Sequence, residues 1–400
     1  MRVRVPRPPA GDPLEAFSER EVRDCLAYAK PRQRWSLLAV AANLLVLALL
    51  AAGGPGRALV RGAAGLAGGW APGRALLAAV AVVVVEALAG LPFSLRAHRQ
   101  DARAGLATQR LGGFLRDWLK GRAVGLALTA VPVAGLILAA RWPLPGWPWT
   151  ASAAAALLVV ALALLGPVVI EPLFNRFTPL AAGPLRGRVL AVAAALGVPV
   201  REVLVADASR RTTRVNAYVS GLGRTRRVVV YDTLLAGLAA GGEADEVVLV
   251  CAHELAHVRH RDVLLGTVAG AAAAAAAVPL AAAVLGLGWA RARLGIGGLG
   301  DPLAAPGVLL LASLVGLLAA PVASAISRWS EARADWLALE VTRDPRTAVA
   351  VERRLALENR ADLRPNRLLV ALFASHPPTM ARIAQARLWA ARHPDAPPAP

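Results

Sequence analysis

Cysteine is nearly absent: among 400 residues only Cys25 and Cys251 are thiols. Two thiols so far apart in sequence imply no disulfide framework, so packing alone must hold the chain. Charged residues are scarce, at 18%, and lysine is confined to Lys30 and Lys120, so arginine carries the positive charge. Aromatics make up only 5%. No basic stripe is interleaved with base-stacking rings, so the net charge of +19 does not describe a nucleic-acid surface. Arginine against an alanine and glycine background reflects high-GC coding, and the remaining basicity suits an anionic bilayer surface.

What the chain has instead is apolar length. Hydrophobic residues make up 56%, outside the usual soluble range, which predicts an integral membrane protein. Six runs approach the about 20 residues a helix needs to cross a bilayer: Trp35–Ala52, Ala75–Leu95, Ala123–Ala140, Thr150–Ile170, Val263–Trp289 and Val308–Ile326. Ala58–Ala71 is short and interrupted by glycine and Arg61, and is not counted. The first run comes after a mostly polar segment too long for the charged region of a cleavable signal, so it is expected to stay as an anchor.

Arginine and lysine near the spans set the orientation. They crowd before the first span (Arg20, Arg23, Lys30, Arg32, Arg34, with Arg2, Arg4 and Arg7 further out) and after the second (Arg96 to Arg122), whereas the alternate loops hold few. Both termini and Glu171–Asp262 are therefore expected on the cytoplasmic side. On this reading the chain divides into a cytoplasmic segment (1–34), four spans (35–170), a cytoplasmic segment of mixed helix and strand signals (171–262), two spans (263–326), a cytoplasmic continuation (327–390) and a Pro-rich tail (391–400).

Within the segment 171–262, Gly183–Leu196 reads as a helix stopped by Gly197 and Pro199. Glu202–Ala206, Arg214–Ser220 and Arg226–Tyr231 carry β-branched residues between turn signals, which predicts a small antiparallel sheet. A helix then begins near Glu243–Glu246 and runs through Val247–Val263 into the fifth span. It contains His253-Glu254-Leu255-Ala256-His257. Residues four apart share a helical face, so both imidazoles can bind one zinc ion, with Glu254 beside it as general base.

A catalytic zinc needs a third protein donor. Glu331 and Asp335, one turn apart at the cytoplasmic end of the sixth span, stand on the same membrane side as His257. Glu331 is the expected third ligand, and Asp335 the acceptor that orients a ligand histidine. Blander readings remain. A histidine pair arises by chance on many helices, Glu331 could simply pair with Arg328 or Arg333, and His260 is out of phase with the ligand pair. Glu86, within the second span, would face a polar interior or a partner.

Several separated segments carry a resemblance: His253–His257, Ser327–Asp335, Glu171-Pro172-Leu173-Phe174-Asn175-Arg176-Phe177-Thr178-Pro179-Leu180, Asn216-Ala217-Tyr218, and Ser375-His376-Pro377-Pro378-Thr379-Met380-Ala381-Arg382-Ile383. From about Arg20 to Ala390 the chain resembles the type I CAAX prenyl endopeptidases, also called CAAX prenyl protease 1. The resemblance implies a mainly α membrane protein with a gluzincin-type catalytic domain. One zinc ion would be held by His253, His257 and Glu331, with Glu254 as base and Asp335 supporting.

It also implies a substrate-facing strand at Asn216, Ala217 and Tyr218, able to pair with an extended peptide. His376 and Arg382 would be donors to the reaction intermediate, unless Arg382 only neutralises a carboxylate. Eukaryotic members usually carry an additional N-terminal span that this sequence lacks. The composition suggests a bacterial cytoplasmic membrane, where farnesylated substrates are not expected. Two competitors are an HtpX-like quality-control protease of membrane proteins and a non-hydrolytic scaffold or sensor. A peptide or membrane-protein substrate and the lipid bilayer are the expected partners.

Overall fold

The computed structural model describes residues 5–221, 223–239 and 243–396. Arg2, Arg4 and the end of the Pro-rich tail (397–400) lie outside the described residues. In chain order the elements are α1 (Glu19–Ala52), α2 (Gly54–Gly65), α3 (Ala71–Arg103), α4 (Leu111–Arg141), α5 (Trp147–Leu165), a π-helical turn (Gly166–Ile170), α6 (Glu171–Phe174) and β1 (Phe177–Pro179). Then come α7 (Pro184–Ala195), β2 (Glu202–Ala206), β3 (Ala217–Ser220), β4 (Arg227–Tyr231), α8 (Asp232–Ala239), α9 (Ala244–Arg259) and α10 (Asp262–Gly286). The chain closes with α11 (Gly288–Leu294), α12 (Ala305–Thr342), α13 (Pro345–Glu358), α14 (Arg367–Phe373) and α15 (Thr379–Arg392).

Among the described residues, six helical segments are long and apolar enough to cross a membrane, in the places expected from the sequence. Their outward faces are apolar; Leu318, for example, is 79% exposed. Such a surface is stable only against hydrocarbon, and these helices satisfy their backbone groups internally, as a bilayer demands. The helices outrun the apolar runs. α1 starts at Glu19 and α12 continues past Ile326 to Thr342, so both project from the membrane region into a second core shared with α13 and α15. The fifth span ends at Gly286, before Trp289, where the chain breaks into α11.

Ala58–Ala71, excluded as a span, contributes most of the twelve-residue helix α2, which packs against α3 and carries Val60 and Ala64 into the tight core at one end of the bundle. Leu47, Ala78, Val82, Ile137 and Ala305 meet there. Further along α1, α3 and α4 the bundle loosens. Glu86 faces a cavity of about 280 Å³ there, where it bonds Asn43 and has Arg122 close by.

The sheet differs from the expected antiparallel one. Its order is β1-β2-β4-β3, and β2 pairs with β4 in parallel, while β1–β2 and β3–β4 are antiparallel. The physical reason is the connection. The chain leaves β2, passes over to form β3 and returns as β4 through a hairpin whose turn uses the positive φ of Gly221 and Gly223. β4 therefore inserts between β2 and β3, and β3 is left as an edge. β1, within the Glu171–Leu180 motif, was not anticipated. Behind the sheet, Val203, Val228 and Val230 pack on α7 and on α9 through Val247, Cys251 and Leu255. The opposite face of α9, with Leu249 and Ala252, packs against α12, α13 and α15.

Candidate active site

α9 is buried on both sides, which fixes its rotation, and its acidic first turn (Asp245, Glu246) favours the positive helix start. Glu246 is tied to Arg354 of α13. The remaining face carries His253, Glu254 and His257. At its end, Arg261 adopts a left-handed conformation (φ 59°), uncommon for a side chain with a Cβ, and α10 starts at the next residue. That reversal turns Asp262 back toward His257: its Oδ2 lies 2.8 Å from His257 Nδ1.

α12 packs along α9 and brings Glu331 between the two imidazoles. Glu331 Oε2 is 3.4 Å from His253 Nε2, Glu331 Oε1 is 3.3 Å from His257 Nε2, and the two Nε2 atoms are 3.2 Å apart. Among the described residues, the buried Oε2 has no hydrogen-bond partner. Two imidazole nitrogens and a buried carboxylate facing one point leave a site that a cation completes. The spacing suits one such ion. Donors about 2.0–2.1 Å from a tetrahedral zinc stand roughly 3.3 Å apart, and these three can hold one metal ion between them.

Each imidazole is backed by an acid on its far nitrogen. His253 Nδ1 lies 2.8 Å from Asp335 Oδ1, as the one-turn spacing from Glu331 predicts. Arg382 grips Asp335 through Nε (2.8 Å) and Nη2 (2.5 Å), and its Nη1 lies 2.9 Å from Glu352 Oε1. On the other side, Arg333 Nη2 is 2.6 Å from Asp262 Oδ1, with the guanidinium carbon 3.5 Å over the Trp329 ring. Two relays thus converge on the site: His253–Asp335–Arg382–Glu352 and His257–Asp262–Arg333.

Asp262, Arg333 in this role and Glu352 were not found from the sequence. Asp262 comes five residues after His257, a spacing that is off-face on a continuous helix and becomes close only through the break at Arg261. Glu352 sits on α13 among Val349, Val351 and Leu355, with no motif to mark it. Burial pushes the Glu352 carboxyl up to about 7, against the pull of Arg382. Burial also works against the charge of Arg382, but Asp335 and Glu352 outweigh it and hold the guanidinium protonated. Arg382 therefore does neutralise carboxylates, one of the two roles left open by the sequence. His376 Nε2 is 3.5 Å from Glu331 Oε1, and its side chain is 63% exposed.

The edge strand lies beside this cluster. Asn216, Ala217, Tyr218 and Val219 line a cavity of about 1090 Å³ together with His253, Glu254, His257 and Glu331. Its far wall is apolar and small-sided, with Gly266, Ala269 and Ala273 of α10 opposite Ala319, Val322 and Ile326 of α12. The Glu171 motif anchors the end of the strand. Ser220 donates to Glu171 (2.9 Å), and Arg227 donates to the carbonyl of Pro167 in the π-helical turn (3.1 Å). His260 caps the end of α9.

The model of peptidase family M48 matches residues 179–390, and that of the CAAX prenyl protease N-terminal family, described as five membrane helices, matches residues 5–176. In this chain that second region holds four candidate spans and the shorter α2. The CAAX prenyl protease 1 homolog of Oryza sativa subsp. japonica is 36% identical over 181 residues, covering 44% of this chain and 41% of that protein. The uncharacterized metalloprotease YhfN of Bacillus subtilis (strain 168) is 30% identical over 229 residues, covering 56% and 52%. The chain thus spans about half or less of the length of these relatives. The crystal structure of S. mikatae Ste24p superposes with a TM-score of 0.79 over 94% of this chain and 92% of that one, at 20% identity, so the fold is shared over that length. With more than half of its length matched by the first model, this integral, multi-pass membrane protein belongs to peptidase family M48.

Proposed function

We propose that the protein is a zinc-dependent endopeptidase that hydrolyses peptide bonds of membrane-associated, CAAX-like segments at the cytoplasmic face of a bacterial cytoplasmic membrane. The observation that carries this reading is the donor triangle of His253, His257 and Glu331, with edges of 3.2–3.4 Å. Zinc held there supplies Lewis acidity to the attacking water and to the scissile carbonyl. Glu254, adjacent to His253 and lining the same cavity, takes the proton from the water and returns it to the leaving amine. His376, exposed toward the substrate side, donates to the oxyanion. Arg382 acts through Asp335, keeping His253 oriented and adding positive charge beside the reaction.

The free edge at Asn216–Tyr218 pairs with the extended peptide, and the apolar groove between α10 and α12 takes the substrate's membrane-embedded part. The arginine-rich ends of α1, α3 and α4 support a cytoplasmic catalytic lobe. The match of residues 5–176 to the CAAX protease N-terminal family argues against the HtpX-like reading. The complete donor set argues against a scaffold.

Purified protein should contain about one zinc per chain. Removing it with a chelator should abolish hydrolysis of a fluorogenic peptide, and zinc, but not magnesium, should restore it. Full activity after complete metal removal would defeat the proposal. Asp262→Asn should weaken zinc binding about 10–100-fold, the usual effect of losing the carboxylate behind a ligand histidine. A competition titration measures this directly, and an unchanged affinity would reduce Asp262 to a structural link between α9 and α10.

A further inference from the structure

β3, the edge strand proposed to pair with the peptide, meets α9 through apolar packing, whereas its polar fastenings run to the membrane helices. At its Ser220 end the fastening is Glu171, within the segment Trp147–Phe174 that forms the fourth candidate span. Its Asn216 end is held by a seam with the loop between α3 and α4. Ala107 and Thr212 form an antiparallel bridge there, Thr108 N–H donates to the carbonyl of Arg211 (3.1 Å), and Thr213 N–H donates to that of Leu106 (3.2 Å). The hydroxyls of Thr108 and Thr212 add bonds across the seam, to the carbonyls of Ser209 and Leu106 (2.7 Å each).

Two arginines of this segment reach further. Arg211 Nε lies 2.7 Å from Asp117 Oδ2 on α4, and its Nη1 donates to Asn175 Oδ1 (3.0 Å). The side chains of Arg211 and Asp117 are only 21% and 20% exposed, so water screens them less than an ordinary surface pair. Arg214, two residues before Asn216, donates through Nη2 to the Tyr28 hydroxyl of α1 (2.6 Å) and through Nη1 to the carbonyl of Asn359 (3.1 Å). Tyr28 in turn donates to Asp101 Oδ1 of α3 (2.5 Å), and Arg214 Nη2 stands 3.7 Å from that same oxygen. Neither arginine lines the cavities at His253, so an effect of either on hydrolysis must pass through the strand.

We propose that Arg211 and Arg214 are positioning residues, through which α1, α3 and α4 set the register of the bound peptide against the metal. This rests on the peptidase reading and on pairing of the peptide with β3. An extended peptide advances about 3.3 Å per residue, so displacing β3 by a fraction of that misaligns the bond beside the metal, and a full step presents the next one. Selection of the cleaved bond then belongs to the membrane bundle as well as to the metal site.

The test uses the full-length zinc-loaded protein in nanodiscs and one fluorogenic peptide chosen from a random apolar library by its hydrolysis, with products identified by mass spectrometry. In Arg211→Gln and Arg214→Gln, KM should rise about tenfold with kcat within about threefold, the mark of lost binding common to substrate and transition state. Cuts at the bonds next to the main one should grow from a minor share to about a third of the products, as a loosened register allows. Zinc should stay at about one per chain. A fall in kcat or Tm with the cleavage pattern unchanged overturns the proposal, because a merely structural tie weakens the protein without moving the cut. Where an arginine variant fails to fold, Asp117→Asn or Asp101→Asn breaks the same pair from the membrane side and must give the same redistribution.

A second readout needs no substrate. Amide hydrogen exchange across Asn216–Ser220 should quicken about tenfold in either arginine variant, with that of His253–His257 unchanged. Unchanged exchange in β3 overturns the anchoring. Hydrolysis of no library peptide by the wild type would instead defeat the peptidase reading itself.

Discussion

Glu254→Gln should lower kcat by about 10³-fold, or about 4 kcal/mol of transition-state stabilisation, while leaving zinc content and KM nearly unchanged. The substitution keeps the size and burial of the side chain and removes only its capacity to accept a proton. The metal donors are untouched, because His253 and His257 are oriented from behind by Asp335 and Asp262 and not by Glu254. The residue lines the membrane-side groove beside His253, His257 and Glu331, within reach of a water attacking a peptide bound there. A loss confined to kcat separates a base from a binding residue, which would raise KM instead. A purified variant retaining kcat within tenfold of the wild type would remove Glu254 from the chemistry.

The residues in that prediction were readable before any fold was known, because their relation is helical and local. His253 and His257 share a face by the period of the α-helix. Glu331 and Asp335 repeat that spacing on a span whose apolar length already placed its end on the same side as His257. The six spans were legible for a similar reason, as each is a continuous run set by bilayer thickness. What stayed hidden depends on chain reversals. Asp262 meets His257 only because Arg261 turns left-handed, and Glu352 meets Arg382 only because α13 and α15 pack together. The parallel pairing of β2 and β4 was also invisible, since strands of four or five residues state their own alternation but not their neighbours. The role of Glu171 escaped for the same reason: its bond to Ser220 joins the start of α6 to the edge strand 49 residues away.

Glu331→Ala carries the second large expected effect, the loss of the metal itself. Two imidazoles remain, and affinity should fall by at least about 10³-fold, beyond the 10–100-fold typical of partners behind the ligands. Zinc should drop from about one per chain to under about one tenth after gel filtration, and hydrolysis should vanish with it. The fold should survive. α12 is held independently by Arg328, which donates to the carbonyls of Val370 and Ala374, and by Gln385, which donates to that of Ala332. The thermal signature is therefore specific. Wild-type Tm should fall when a chelator strips the metal, because a ligand bound only to the folded state stabilises it. The variant should melt at one temperature with or without chelator. Full zinc occupancy in Glu331→Ala would mean that a different side chain completes the site, and His376, whose Nε2 stands 3.5 Å from Glu331 Oε1, is the one placed to do so.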